Sequence, residues 1–92
     1  LWTRSAAAAA LVACRELGIA FVAYSPLGRG FLTGTVASAD ALPAGDTRRA
    51  FPRFAAANHA LNRAALDRIS ALAAARGCTP GQLALAWVLA QG

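Results

Sequence analysis

The chain of 92 residues has no lysine and no methionine, only four acidic residues, two cysteines and one histidine. Cys14 and Cys78 do not have the spacing of metal ligands, and His59 is close to neither of them in the sequence. We therefore predict no metal site. A single disulfide between the two cysteines stays open, but both are expected to fill small positions between packed helices.

All nine basic residues are arginines, and the formal net charge is +5. Such an excess can indicate an anionic partner such as nucleic acid or a membrane surface. Only Arg48, Arg49 and Arg53 cluster, and no aromatic residues interleave with them to form a stacking platform. We predict no nucleic-acid partner, and instead scattered surface arginines of which one or two bind a phosphate group.

No segment is long enough to span a bilayer. Arg4, an alanine-rich stretch and then Leu11-Val12-Ala13-Cys14 imitate a short signal peptide with a bacterial lipoprotein cleavage box. The charged region is one arginine and the apolar region is mostly alanine, so we predict no membrane association. The lipoprotein remains an alternative that the intact mass after bacterial expression would test.

The first half of the chain has the pattern of one helix followed by one strand. Ser5 is placed to cap a helix over residues 6–17, which has high helix propensity, and Gly18 to end it. Residues 20–25 are aromatic, branched or small and carry no charge, which predicts a buried strand. Helix, glycine, strand and glycine turn form one step of an α/β fold.

The second half combines a long connection with two helices. Residues 34–57 have few ordering signals, which is typical of a functional loop or of a plain flexible connector. A helix is predicted from Asn58 or His59 to Gly77, with apolar residues at spacings of three and four. Thr79 and Gln82 predict a capping box, with Pro80 between them, before an apolar helix over residues 83–90.

The turn after the predicted strand is the strongest indication of a binding site. It reads Ser25-Pro26-Leu27-Gly28-Arg29-Gly30. In α/β folds, ligands bind where strands end. Gly28 and Gly30 would let the backbone approach a phosphate, and the Arg29 guanidinium can bind a phosphate with two hydrogen bonds.

The whole chain resembles the C-terminal half of an aldo-keto reductase. The resemblance rests on this turn and on four further segments, Leu1-Trp2-Thr3-Arg4, Arg15-Glu16-Leu17-Gly18-Ile19, Phe51-Pro52-Arg53-Phe54 and Gln82-Leu83-Ala84-Leu85-Ala86-Trp87-Val88-Leu89-Ala90-Gln91-Gly92. It implies an α/β fold, a (β/α)8 TIM barrel that needs about 250 residues. Residues 1–92 would then be an incomplete, helix-rich C-terminal segment of one barrel domain, with a single parallel-type strand.

The resemblance also implies a cytoplasmic oxidoreductase that uses NADPH to reduce small aldehydes and ketones to alcohols. Tyr24 would stack on the nicotinamide ring, which fixes the side from which hydride leaves. Ser25, Pro26, Leu27, Gly28, Arg29 and Gly30 would bind the pyrophosphate and adenosine side. Arg48 and Arg49 could reach a 2′-phosphate or simply be solvated charges, so NADPH against NADH stays open, as does the carbonyl substrate.

The sequence departs from the family pattern where the chemistry is concerned. Family members donate a proton from a tyrosine tuned by a lysine, with an aspartate and a histidine nearby, and these residues lie upstream of the matching segment. With no lysine, the chain carries no such relay. We expect no catalytic residue, an inactive and marginally folded chain, and self-association through exposed apolar helices. The alternative is a small independent helical interaction module without enzymatic activity.

Overall fold

Three α-helices and one long connection make up the computed structural model, which describes residues 1–4, 7–36 and 38–91. The helices are α1 (Ala7–Leu17), α2 (Ala56–Ala75) and α3 (Pro80–Leu89). Between α1 and α2 the chain forms four short 3-10 helices, at Phe31–Thr33, Ala39–Ala41, Thr47–Ala50 and Pro52–Phe54. No helix in these described ranges is both long and apolar enough to cross a membrane.

The helix ends confirm most of the capping predicted from the sequence. Gly18 and Gly77 both have φ of +66°, the left-handed conformation that ends a helix at low cost in glycine. Thr79 and Gln82 form the predicted capping box at the start of α3. Helix α2 begins at Ala56, slightly before the predicted start. The predicted cap Ser5 and its neighbour Ala6 lie outside the described residues.

The predicted strand over residues 20–25 is wrong for this structure. The segment is irregular, no strand occurs anywhere in the described part of the chain, and Val22 is 89% exposed. A strand needs a neighbour that accepts and donates its backbone hydrogen bonds, and isolated extended segments are not stable in water. No described segment pairs with residues 20–25, so their apolar side chains remain at the surface.

The core lies between the glycine turn (residues 25–30), the connection that follows it (residues 34–57), α2 and α3. Phe31 is at its centre, with the Trp2 ring 5.0 Å and the Phe54 ring 5.9 Å away, both edge-on. Edge-to-face contacts of this kind add to the free energy gained by burying the rings. The buried residues of this cluster are Phe31, Leu32, Leu42, Phe54, Leu66 and Ala84.

The connection is more ordered than its composition predicts, and α1 is less well packed. Leu42 and Phe54, both within residues 34–57, are buried in the core, so this segment is not a plain flexible connector. Helix α1 has no buried residue. The Arg15 guanidinium of α1 donates to the backbone carbonyl of Gln91, just after α3.

Candidate functional site

A cleft of about 880 Å³ lies beside the glycine turn. The turn forms one wall and the chain start, α1 and the connection form others. The start of α2 and the end of α3 also line the cleft. Five of the seven predicted binding residues line the cleft, namely Tyr24, Ser25, Pro26, Gly28 and Arg29. The other two, Leu27 and Gly30, lie behind this wall: Leu27 packs against the core, and Gly30 lies near the Arg48 side chain.

The turn has an unusual backbone, with four residues at positive φ. Ser25 has φ of 50°, Gly28 59°, Arg29 58° and Gly30 89°. This region is unfavourable for residues with a side chain, and strained residues of this kind cluster at ligand sites. Gly28 also lies close to Arg53, since a Cβ at this position would be 3.0 Å from the Arg53 Nη1 atom and the guanidinium would have to shift slightly.

The backbone N–H groups of the turn are only partly used. The Gly28 N–H donates to the Ser25 carbonyl at 3.0 Å, and the Gly30 N–H donates to the Leu27 carbonyl at 3.2 Å. Within the described ranges, the N–H groups of Ser25, Leu27 and Arg29 have no acceptor. The expectation that the turn offers N–H groups to a phosphate therefore narrows to these three, with Gly28 and Gly30 giving the backbone its shape.

Tyr24 and Arg29 extend from the turn together. The Arg29 Nη2 donates to the Tyr24 hydroxyl at 3.0 Å, and its guanidinium lies 4.3 Å from the centre of the Phe51 ring. The Tyr24 side chain is 83% exposed beside the cleft. Its flat face is thus available for stacking, while Phe51 holds the arginine in place through a cation–π contact.

Arg48 and Arg49 are engaged within the chain and do not line the cleft. Arg48 binds the Asp46 carboxylate at 2.6 Å and donates to the Arg29 carbonyl at 3.3 Å. Arg49 donates to the carbonyls of Ala39 and Leu42, both at 2.7 Å. The two guanidinium groups thus bind groups of the connection, and Arg48 also binds the turn. These contacts weigh against both interpretations from the sequence, in which the pair binds a 2′-phosphate or is freely solvated.

Hydrogen bonds from the Arg48 side chain and backbone hold the pKa of Asp46 at about 2, below its ordinary 3.8. A carboxylate with a lowered pKa stabilises the fold above its ordinary pKa and loses that contribution as the pH falls through the lowered value. We expect Asp46→Asn to lower the melting temperature at pH 7, and the difference from the unchanged chain to shrink between about pH 4 and 2.

Thermal melts followed by circular dichroism between pH 2 and 7 measure this effect. The matched control is Asp67→Asn, which removes an exposed ion pair with Arg63 on α2 and should change the melting temperature little. Equal melting temperatures for Asp46→Asn and the unchanged chain at pH 7 would contradict the role given to this ion pair.

Arg53 is a cleft residue to which the sequence analysis gave no binding role, although it lies in the charge cluster and in one of the segments that carry the family resemblance. It lines the cleft beside Gly28, and its Nη2 donates to the Thr3 hydroxyl at 3.2 Å. Burial, with a smaller effect of the Arg29 charge, lowers the pKa of Arg53. Arg4, Arg29 and Arg53 line the cleft, and no acidic residue does so among the described residues. The cleft therefore favours anions.

The described residues contain no group of three or more side chains that could hold a metal ion. Cys14 and Cys78 are both free thiols, so the disulfide that the sequence left open does not form in this structure.

Comparison with known proteins decides which family this arrangement comes from. The model of the Aldo/keto reductase family matches residues 1–92. The chain belongs to this family. A curated aldo/keto reductase, the aldo-keto reductase yakc of Schizosaccharomyces pombe, whose name specifies NADP(+), is 52% identical over 80 residues.

The match to the yeast aldo/keto reductase covers 87% of this chain and 24% of the relative, so the chain spans about a quarter of the length of that protein. The family resemblance seen in the sequence is therefore confirmed. No solved structure matches the chain.

Proposed function

We propose that this chain provides part of the cofactor site of an NADP(H)-dependent oxidoreductase that reduces small aldehydes and ketones to alcohols. The observation that carries the proposal is the strained glycine turn, whose Tyr24, Ser25, Pro26, Gly28 and Arg29 line a cation-rich cleft. Family membership and the NADP(+) in the name of the yeast relative support the choice of ligand.

The residues present fit a dinucleotide. The exposed Tyr24 ring offers a flat face for the nicotinamide. The Ser25 and Arg29 N–H groups, which lack acceptors among the described residues and belong to residues that line the cleft, and the Arg29 guanidinium suit its phosphates. Pro26 fixes the turn, and Ser25 adds a hydroxyl. Bound NADPH supplies the hydride, and the chain's own part is to bind and orient it.

The chain does not carry the proton transfer that carbonyl reduction requires. It has no lysine, and its one tyrosine, Tyr24, has the stacking role. In our proposal the proton relay lies elsewhere in a complete (β/α)8 barrel, of which residues 1–92 form a C-terminal segment. We therefore expect the 92-residue chain to bind the cofactor without turning over a carbonyl.

Isothermal titration of the 92-residue chain with NADP(+), NADPH and NADH tests this proposal. We expect saturable binding, and the ratio of the NADPH and NADH affinities decides the choice between them. Incubation with NADPH and a panel of small aldehydes should give no oxidation of the cofactor. If the chain melts cooperatively but does not bind the cofactor, the proposed cofactor site is wrong. If it steadily oxidises NADPH with a carbonyl substrate, the proposal that the proton relay lies elsewhere is wrong.

The exposed apolar surface favours a second candidate, the small helical interaction module. Leu17, Ile19 and Val22 are 70%, 57% and 89% exposed, respectively. Such a patch favours association, either with copies of the chain or with another part of a barrel. Sedimentation equilibrium combined with the titration distinguishes the cofactor-binding segment from the interaction module. A monomer with a cooperative melt and no affinity for NADP(+) supports the module. The cytoplasmic location stays a prediction of the family resemblance.

A further inference from the structure

Residues 19–24 form an exposed segment between α1 and the glycine turn. The segment reads Ile19-Ala20-Phe21-Val22-Ala23-Tyr24, without charge, proline or glycine. Ile19, Val22 and Tyr24 are each more than half exposed. Branched and aromatic side chains are typical of strands, and no residue of the segment has the positive φ that would prevent it from forming one. The segment is therefore suited to a strand that the single chain does not complete.

The backbone of this segment has no partner inside the chain. The Ile19 N–H donates to the Cys14 carbonyl at 2.8 Å, at the end of α1. From Ala20 to Tyr24, no backbone N–H or carbonyl group is hydrogen-bonded to any residue that the structure describes. Exposed backbone groups of this kind are a template on which another chain can pair as a strand.

Helix α1 extends this surface. It has no buried residue, and Val12 and Leu17 are more than half exposed. Leu11 and Cys14 of α1 line the same pocket, of about 380 Å³, as Ile19 of the segment, so the helix and the segment form one continuous surface. Two paired strands alone are marginally stable in water, and packing against a helix stabilises them. Helix α1 is in place to provide that packing.

The charges at the two ends of the segment are opposite and unpaired. Glu16, just before the segment, is exposed and belongs to neither ion pair found in the described ranges. Arg29, just after the segment, also has no carboxylate partner among those residues. The neighbouring Arg15 is already bound to the Gln91 carbonyl.

This arrangement of charge favours a second copy of the chain as the partner. Strands related by a two-fold axis are antiparallel, so the start of the segment in one copy lies beside its end in the other. Glu16 of each copy then comes near Arg29 of the other. Because this contact occurs twice, it offsets part of the repulsion between two chains of net charge +5.

We propose that residues 19–24 pair as a strand with the same residues of a second copy, in a two-fold symmetric antiparallel dimer. Each segment then gives the other the backbone hydrogen-bond partners that it lacks in the single chain, and α1 of each copy covers the pair. The dimer differs from association through apolar helices, because the backbone of an irregular segment holds the copies together. It is independent of the cofactor site, since association is measured without ligand.

Sedimentation equilibrium of the 92-residue chain without ligand, over about a hundredfold range of concentration, tests the dimer. Amide I infrared spectra at the same concentrations measure the strand content. Two variants, Phe21→Pro and Val22→Pro, each remove one backbone donor. Phe21→Thr and Val22→Thr lose the same apolar side chains but keep the donor and a high strand propensity. Leu61→Thr, exposed on α2, is the control for association through helices.

We expect a dimer whose antiparallel strand signal grows with concentration. Neighbouring N–H groups point to opposite edges of a strand, so one proline variant should weaken the dimer by about tenfold or more relative to its threonine counterpart, and the other less. Leu61→Thr should leave the dimer unchanged. Glu16→Gln should weaken it by about threefold and reduce its dependence on salt. A thermal melt of each variant checks that it folds.

A chain that stays monomeric throughout, or that grows into open-ended assemblies, would overturn the dimer. A dimer without a strand signal, or proline variants that both associate as well as their threonine counterparts, would show that side chains alone hold the copies together and would overturn the strand pairing. Equal weakening by Leu61→Thr would place the contact on the helices instead. Each of these results leaves the cofactor site to be decided by the titrations with NADP(+).

Discussion

Phe54→Ala is expected to abolish the cooperative unfolding of the chain. The side chain is 2% exposed and packs edge-on against Phe31, the centre of the core. Truncation of a buried phenylalanine lowers the free energy of unfolding by about 3–5 kcal/mol, through lost transfer free energy and the cavity that remains. Domains are stabilised by about 5–15 kcal/mol, and for a chain that is expected to lie at the low end of this range little would be left.

Urea and thermal unfolding followed by circular dichroism measure this loss. Leu61→Ala is the matched control, because Leu61 lies on α2 at 77% exposure and its truncation leaves no cavity. We expect the control to unfold almost as the unchanged chain does. Similar unfolding midpoints for Phe54→Ala and Leu61→Ala would show that the aromatic cluster does not hold the fold together.

Gly28→Ala is expected to weaken the binding of NADP(+) by about tenfold or more, with a smaller loss of stability. The residue has φ of +59°, and a left-handed conformation costs a residue with a Cβ about 1–2 kcal/mol. The new methyl group would also lie 3.0 Å from Arg53 Nη1, so that the guanidinium would have to shift at the cleft wall. Each effect moves groups that the proposed site needs in place.

Gly45→Ala, in the connection that follows the turn, provides the comparison. A Cβ at Gly45 meets no atom within 4 Å, and Gly45 is not among the glycines with positive φ. Substitution there should leave the affinity unchanged and increase stability slightly, because alanine restricts the unfolded chain. If the two variants bind NADP(+) equally well, the shape of the turn at Gly28 does not determine the affinity.

The helices could be predicted from the sequence because their signals are local. The Thr79–Gln82 capping box and the glycines after α1 and α2 act within one turn of helix, so a few neighbouring residues suffice. The irregular structure of residues 20–25 could not be predicted in this way, because a strand forms only beside a partner strand that is distant in sequence. An apolar run such as residues 20–25 predicts burial, and burial depends on what is there to cover it.

The candidate site divides in the same way. Tyr24 to Arg29 are contiguous, so one motif and a family resemblance were enough to place most of them at a cleft. Arg53 lies outside this motif, and its hydrogen bond to the Thr3 hydroxyl joins residues 50 positions apart in the chain. For Arg48, the decisive partner, Asp46, was close in sequence, but the hydrogen bond to the Arg29 carbonyl was not visible from spacing.

Both tryptophans of the chain, Trp2 and Trp87, line the cleft. The tryptophan fluorescence of this protein therefore comes from two indoles at the place where a ligand would enter. Trp2 touches the aromatic cluster on one side and Arg53 on the other, so its emission responds both to core packing and to charge at the wall. A reduced nicotinamide absorbs light where indole emits, and its arrival would quench this signal without any added label.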